Sequence, residues 1–286
     1  MLLALGTVQF GLAYGIAGSG QAVAPAETRR ILQAAWAFGV RTLDTAAAYG
    51  DIEERLARLC DGLPFRVISK VPALSAGWSD PVAAASWAVE QARQSHRRLG
   101  PLLAGLMCHR AEDLLGQSGA AIHAALQAWA KPEGIALGVS CYDPATLLTL
   151  ASQRQIQIAQ LPGNALDQRL AQQIPTQPPG LEIHLRSAFL QGLLLMPGAQ
   201  GARRLPAAAA ALQRWHGWCA RHGLAPLPAA LSAVKSFAAV STVVVGVDSL
   251  AQFDAIAQAW SSVRAIHCPE LAEASAAIID PRTWTP

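Results

Sequence analysis

Four side chains that can exchange or steer protons lie at or just after the ends of apolar runs in the first part of the chain. Asp44, Lys70 and His109 each close a separate run, and Tyr49 follows Asp44 closely, directly before Gly50. Short apolar runs of this kind are typical of buried strands, so each group falls where a strand passes into a loop. In an α/β barrel the active site lies at that edge. The pattern therefore predicts that these groups meet at one end of the fold.

Together these four groups could protonate a polarised carbonyl oxygen. A tyrosine normally titrates near pH 10, and a neighbouring ammonium such as that of Lys70 is expected to lower the pKa of Tyr49. Asp44 would keep the lysine charged and aimed, because a buried lysine alone tends to lose its proton. His109 could hydrogen-bond a substrate oxygen or share the proton with Tyr49.

Each residue also has a simpler explanation. An acid after a strand often caps a turn or a helix, a tyrosine before a glycine often only packs, and a histidine at a strand end can be satisfied by the backbone. The combination favours function, because Lys70 lies in an apolar run of a chain that has few lysines.

The elements that must position these groups alternate regularly between strand and helix, about eight times, with connections of ordinary length. This alternation predicts an α/β fold, a (β/α)8 TIM barrel, as a single domain over residues 1–286. An open doubly wound sheet is the alternative, but no GxGxxG follows the first strand. A longer insertion is expected over residues 192–205. The predicted strands are 2–6, 40–43, 67–70, 102–108, 135–140, 156–160, 181–186 and 242–246.

Composition excludes several classes of function. Of the 286 residues 52% are hydrophobic, but the longest apolar runs are broken well before the length that spans a bilayer. The net charge of +3 comes from scattered arginines, which does not make a nucleic-acid-binding face. The start of the chain lacks the basic region of a signal peptide, so a cytoplasmic location is expected. The five cysteines show no metal-ligand spacing and are expected to be reduced, structural thiols.

The chain resembles the aldo-keto reductases, and the resemblance covers nearly its whole length in the family's order. It rests on Leu5-Gly6-Thr7 with Phe10-Gly11, Leu43-Asp44-Thr45-Ala46, Tyr49-Gly50, Ser69-Lys70-Val71, a histidine after the fourth strand, Gly138-Val139-Ser140, Gln160 with Asn164, and Gly246.

This resemblance implies an NAD(P)H-dependent barrel that reduces an aldehyde or a ketone. Tyr49 would be the acid, Asp44 and Lys70 would tune it, and His109 would orient the carbonyl. Ser140 and Gln160, with Asn164 as a further candidate, would hold the nicotinamide carboxamide. The other implied cofactor contacts are Gly6, Thr7, Arg186, Ser187, Gly246, Ser249 and Gln252.

The chain departs from the family pattern at three positions. Cys141 stands where many members have Asn, and Arg186 stands where a tyrosine often stacks on nicotinamide; a guanidinium plane can also stack. The segment after the last strand lacks the basic residue that commonly binds a 2′-phosphate and instead has Asp248, which either repels that phosphate or caps the last helix. NADPH is the family's usual cofactor, and NADH is possible here.

Two other functions fit the same sequence. In a Schiff-base aldolase or lyase, Lys70 would attack a carbonyl carbon. A catalytically idle barrel would bind nucleotide and report redox state to a partner. In any of these the loops would set the ligand, which for the reductase is a small carbonyl compound. Aromatic residues after strand ends could line an apolar pocket there: Phe10, Tyr14, Trp78 and Tyr142.

Overall fold

Eight parallel strands close into a barrel in the order of the sequence, each hydrogen-bonded to the next and the last to the first. The structure is a computed structural model and describes residues 1–16, 18, 20–75 and 80–284, so Trp78 lies outside the described residues. The predicted (β/α)8 barrel is confirmed, and the open sheet is excluded. The strands are β1 Leu2–Gly6, β2 Thr42–Asp44, β3 Arg66–Val71, β4 Leu103–Cys108, β5 Ala136–Ser140, β6 Ile158–Pro162, β7 Glu182–Arg186 and β8 Thr242–Gly246.

Several strand ends differ from the prediction by one or two residues; β2, for example, begins at Thr42 rather than at residue 40, and the sixth strand is shifted as a whole. The sixth begins and ends two residues later than expected, so Gln160 lies inside β6 rather than at its end. The cause is Gln157, whose side-chain oxygen accepts the hydrogen bond of the Leu137 N–H and so replaces a backbone acceptor before the ladder begins. Gln160 itself lies opposite Ser140 on β5.

Helices surround the barrel. Proline at the first turn begins several of them, the Asp80 carboxylate accepts a hydrogen bond from Val82 N at the start of α4, and Gly39, with φ of 106°, ends α2. The predicted insertion over 192–205 contains a 3₁₀ turn, Leu193–Leu195, and α8. The helices are α1 Val8–Gly11, α2 Pro25–Phe38, α3 Ile52–Leu59, α4 Pro81–Leu99, α5 Gly116–Ala130, α6 Pro144–Gln153, α7 Arg169–Gln173, α8 Gly198–Arg204, α9 Ala209–Arg221, α10 Pro226–Lys235, α11 Leu250–Ser262 and α12 Ala276–Ile279.

The core has two parts. A large cluster fills the layer between strands and helices, and a small one, Ile68, Met107 and Ile158, is buried separately. Gly105 is required beside this small cluster, because a Cβ there would lie 2.7 Å from the side chains of both Ile68 and Ile158. All five cysteines are free and buried, as the sequence predicts. Among the described helices, none is long and apolar enough to cross a membrane.

Candidate active site

Asp44, Lys70 and His109 come together because β2, β3 and β4 are neighbours in the barrel. Asp44 ends β2, Lys70 is the second-last residue of β3, and His109 follows β4 directly. Tyr49 comes from the loop between β2 and α3, and its ring centroid lies 5.5 Å from Lys70 Nζ and 6.0 Å from the His109 ring. The structure therefore brings together the four groups that the apolar runs predict.

Lys70 and Asp44 form a buried ion pair. Lys70 Nζ donates to both carboxylate oxygens of Asp44, at 2.8 and 2.9 Å, and to the carbonyl of Thr45 at 2.8 Å. Gln160 Nε2 donates to Asp44 Oδ1 at 2.6 Å, and Thr7 Oγ1 donates to the Asp44 carbonyl at 3.0 Å. Burial lowers the pKa of Lys70 and Asp44 opposes this shift. All the groups within hydrogen-bonding distance of Nζ are acceptors and one is a carboxylate, an environment that suits an ammonium with its three N–H donors.

Tyr49 does not have the lowered pKa that the sequence argument expects. Burial raises its pKa well above the usual value, the Asp44 carboxylate raises it further, and the cation that opposes them is Arg186 rather than Lys70. The expectation was wrong because Asp44 lies beside Lys70 and offsets its charge. Tyr49 is therefore a protonated phenol at neutral pH.

His109 is a neutral imidazole at neutral pH. Burial, and then the charge of Lys70, lower its pKa to about 4, against the opposing effect of Asp44. A neutral imidazole keeps one N–H donor and one acceptor nitrogen. It can therefore hydrogen-bond a carbonyl oxygen without itself being the acid at pH 7.

A cavity of about 390 Å³ opens at the carboxyl ends of the strands beside these groups. It runs from Asp44 and Tyr49 past β8 to the start of α11. The predicted site residues that line it are Gly6, Thr7, Asp44, Tyr49, Gln160, Arg186, Ser187, Gly246 and Gln252. Lys70, His109, Ser140 and Ser249 are not in its described wall, and Lys70 and Ser140 are buried.

Two predicted cofactor contacts and one predicted cap have other roles within the protein. Asn164 is fully buried; its Nδ2 donates to the Ser187 carbonyl, and its Oδ1 accepts from two backbone N–H groups of its own loop. Its amide is thus committed to joining two loops, and it does not line the cavity. Ser249, not Asp248, caps α11, since its hydroxyl accepts from Gln252 N. Gln252 Oε1 in turn accepts from Asp248 N at 2.7 Å.

Gln9 is a candidate site residue that neither the apolar runs nor the family resemblance indicates. This side chain lies against Gly246, where a Cβ would come within 2.4 Å of its amide nitrogen. Its Oε1 is buried without a hydrogen-bond partner among the described residues, and Gln9 lines the cavity. Its proximity to Gly6 and Thr7 in the sequence was a signal, but the approach to β8 depends on barrel closure. Gln9 therefore offers an acceptor to a ligand.

The loop after β7 has an unusual backbone. Ser187, Leu190 and Gln191 have φ of 62°, 49° and 53°, the left-handed region that non-glycine residues seldom adopt. Strained residues of this kind cluster at ligand sites, and Ser187 and Gln191 line the cavity. No sequence signal marks these conformations, because none of the three is Gly, Asn or Asp.

The aromatic residues expected to line a pocket are distributed differently. Tyr14 lines the cavity, whereas Phe10 is fully buried in the main core and is not part of the described wall. Phe10 is buried because α1, the short helix after β1, packs its side chain inward. Tyr142 lies beside the cavity, where its ring contacts two guanidinium groups: Arg186 Cζ lies 4.1 Å from the ring centroid and Arg282 Cζ 3.4 Å.

Comparisons with known proteins agree with this architecture. Residues 2–112 match the model of the Aldo/keto reductase family. An aldo-keto reductase from Bacillus halodurans, in its holo form, superposes with a TM-score of 0.72 at 20% identity, covering 96% of this chain and 92% of that one. A glycerol dehydrogenase from Gluconobacter oxydans superposes with a TM-score of 0.68 at 18% identity, covering 99% and 94%. A search of curated sequences finds no match. The predicted resemblance to the aldo-keto reductases is therefore confirmed, in sequence over residues 2–112 and in fold over nearly the whole chain.

Proposed function

We propose that this protein is an NAD(P)H-dependent oxidoreductase that reduces an aldehyde or ketone to an alcohol. The observation that carries the proposal is the meeting of Tyr49, His109 and the Lys70–Asp44 pair beside a cavity that Tyr49 and Asp44 line. Lys70 Nζ lies 5.5 Å and the His109 ring centroid 6.0 Å from the centroid of the tyrosine ring. A protonated phenol and a neutral imidazole are suited to a carbonyl oxygen that gains negative charge as it reacts.

In this proposal Tyr49 donates its proton to the carbonyl oxygen. Its pKa, raised chiefly by burial, keeps the phenol protonated until the oxygen becomes basic. The phenolate that remains is stabilised by the guanidinium of Arg186, while Lys70 neutralises Asp44, whose charge would otherwise disfavour the phenolate. His109 donates a hydrogen bond that orients the carbonyl. Asp44, fixed by Lys70 and Gln160, sets the position of the ammonium below the tyrosine ring.

The residues present suit a nicotinamide dinucleotide. When bound, the reduced cofactor supplies a hydride to the carbonyl carbon, which with the proton from Tyr49 completes the alcohol. Gln9 Oε1 is a buried acceptor without a partner in the described part of the chain, and Gly246 leaves room for the Gln9 amide at the cavity. Ser187 and Gln252 lie farther along the same wall. Both NADPH and NADH are candidates, and Asp248 in the wall disfavours an additional phosphate there.

A Schiff-base lyase fits the geometry less well. Nucleophilic attack requires a neutral amine with a free lone pair that faces the substrate. Lys70 is 1% exposed, gives its three protons to oxygen acceptors and is absent from the described wall of the cavity. The idle nucleotide-binding barrel differs from the reductase only in turnover.

Parallel titrations with NADPH and NADH, followed by nicotinamide absorbance with a panel of aldehydes, test the proposal. We expect binding of at least one nucleotide and turnover that Tyr49→Phe lowers by about 10²- to 10⁴-fold, with nucleotide affinity retained. Binding without turnover across the panel would establish the idle barrel. Borohydride trapping of substrate on Lys70 would establish the lyase.

A further inference from the structure

Arg186 is a cation without a carboxylate partner at the wall of the proposed catalytic cavity. Its recorded polar contact is from Nη2 to the Cys141 carbonyl, at 3.4 Å, and no ion pair involves it within the described residues. Two other partly buried arginines do have such a partner: Arg66 pairs with Glu182 and Arg169 with Asp167. Burying an unpaired charge is costly, so an arginine in this state is suited to a ligand that supplies the missing anion.

The surroundings of Arg186 hold the guanidinium in place without neutralising it. The Tyr142 ring lies 4.1 Å from its Cζ and supports the plane of the group. The second guanidinium at this ring, Arg282, is already neutralised by Asp280, with an N–O distance of 2.6 Å. The local positive charge that remains is therefore that of Arg186.

Asp44, which also lines the cavity, does not neutralise Arg186. The carboxylate of Asp44 is committed to Lys70 and Gln160, so the pair contributes no net charge. Arg186 is close enough to Tyr49 to oppose the effects of burial and Asp44 on the pKa of that phenol. Arg186 and Tyr49 line the same cavity, so a carbonyl compound bound at Tyr49 shares that cavity with the cation.

From this geometry we infer that the carbonyl substrate carries a negatively charged group, a carboxylate or a phosphate, which the guanidinium of Arg186 binds. The inference rests on the proposed function and assigns its substrate class. A guanidinium presents two parallel N–H donors that match the two oxygens of a carboxylate or a phosphate. Arg186 thus selects the substrate by charge, while Tyr49 and His109 act on its carbonyl.

Two matched substrate pairs test this inference in the presence of the nucleotide that the protein binds. The first is para-carboxybenzaldehyde and its neutral methyl ester, and the second is glyceraldehyde phosphate and glyceraldehyde. We expect kcat/KM to favour the charged member of at least one pair by about 10- to 100-fold, as charge-assisted hydrogen bonds typically give. The pair that shows the preference identifies carboxylate or phosphate as the recognised group.

Arg186→Met should bring that ratio close to one, chiefly by raising KM for the charged substrate. Any effect of the lost cation on Tyr49 acts on both members of a pair and cancels in the ratio. Arg186→Lys should retain part of the preference, since it keeps the charge but loses the two parallel N–H donors of the guanidinium. Arg41→Met is the matched control: Arg41 also stacks on an aromatic ring, 3.8 Å from Trp36, but precedes β2 at the other end of the barrel.

Several results would overturn the inference. Equal kcat/KM for charged and neutral members in the wild-type protein would do so, as would an unchanged ratio in Arg186→Met. Loss of nucleotide affinity in that variant with the ratio intact would assign the guanidinium to the cofactor. If the variant does not fold, the wild-type protein still decides: para-(hydroxymethyl)benzoate should inhibit and its methyl ester should not. Failure to reduce any of the four aldehydes would instead overturn the proposed function, and this inference with it.

Discussion

At the scale of single residues, the site separates proton donation from charge compensation. Lys70 is fully occupied by Asp44 and Thr45, so it contributes a fixed ammonium rather than a proton or a nucleophile. Tyr49 keeps the transferable proton because burial and Asp44 hold its pKa high. This division fits the positions of the two groups, since Lys70 lies behind the cavity wall and the phenol of Tyr49 lies in it. The guanidinium of Arg186 then acts on the phenolate, while the ammonium of Lys70 neutralises Asp44.

Lys70→Met should reduce turnover far more than nucleotide affinity. The loss of the ammonium leaves Asp44 as an unpaired buried acid, which disfavours the Tyr49 phenolate and costs about 3–5 kcal/mol of stability. Single-turnover kinetics, nucleotide titration and thermal unfolding of the same variant separate these effects. The double variant with Asp44→Asn should lose less stability than the sum of the two single variants, because the two groups contact each other. Equal losses of turnover and affinity would show that Lys70 has only a structural role.

The lowered pKa of His109 predicts how kcat/KM depends on pH on the acid side of neutrality. Its pKa of about 4 means that the imidazole is neutral above that value and gains a proton only as the pH falls through it. We therefore expect the protonation of His109 to leave kcat/KM unchanged from about pH 5 to pH 8. An unperturbed histidine would titrate within that range. A limb near pH 6.5 that disappears in His109→Gln would contradict the pKa and the neutral role together.

Which site residues the sequence can reveal depends on how local their contacts are. Asp44, Lys70 and His109 were predictable because each closes an apolar run, and such runs are visible in the sequence without knowledge of the fold. The roles of Asn164 and Gln9 were not, because their partners, Ser187 and Gly246, are far away in the sequence. The pKa of Tyr49 was predicted with the wrong direction for a related reason: burial and the position of Asp44 are properties of the folded barrel.

At the scale of secondary-structure elements, predictions held where a pattern is strongly periodic and failed at ends set by side chains. The eight strands were found, but β6 lies later than expected because a Gln157 side chain replaces a backbone acceptor. The start of α11 shows the same effect. Ser249 supplies the cap, and Glu27 from α2 accepts the Leu250 N–H at 2.7 Å, so two of the free N–H groups at this helix end are already satisfied.

Ser249→Ala tests whether this serine serves the helix or a cofactor. As an N-cap its loss should cost about 1 kcal/mol of unfolding free energy and leave nucleotide affinity nearly unchanged. Denaturant unfolding and nucleotide titration measure the two quantities. Ser249→Asp, which preserves a capping oxygen, should restore the stability. A large loss of affinity with unchanged stability would make Ser249 a nucleotide contact.

At the scale of the whole molecule, the two ends of the barrel have different tasks. The carboxyl ends of the strands carry the cavity, whereas the amino ends carry a charged cluster. Arg66, the first residue of β3, binds both carboxylate oxygens of Glu182, the first residue of β7, at 2.9 and 3.0 Å. His184 lies 3.3 Å from the same carboxylate. Barrel closure brings these residues together from 116 positions apart, so the cluster links distant strands without touching the proposed chemistry.

Glu182→Gln should therefore destabilise the barrel in a pH-dependent manner while leaving substrate turnover intact. The hydrogen bond with His184 and that with Arg66 lower the pKa of Glu182 from 4.5 to about 2 despite partial burial. A lowered folded-state pKa gives stability that is complete above the unfolded value and is lost as the pH falls. The difference in Tm between wild type and variant should thus be constant above about pH 5 and shrink between 4.5 and 2.

Glu90→Gln provides the control, because Glu90 pairs with Arg97 on an exposed face of α4, where an ion pair contributes little. Its Tm should stay close to that of the wild type at every pH. A gap for Glu182→Gln that does not change with pH would mean that side-chain shape, rather than the charge, links β3 to β7. Closure of the gap on acidification, with turnover at neutral pH unaffected, would assign the two ends of the barrel to stability and to chemistry respectively.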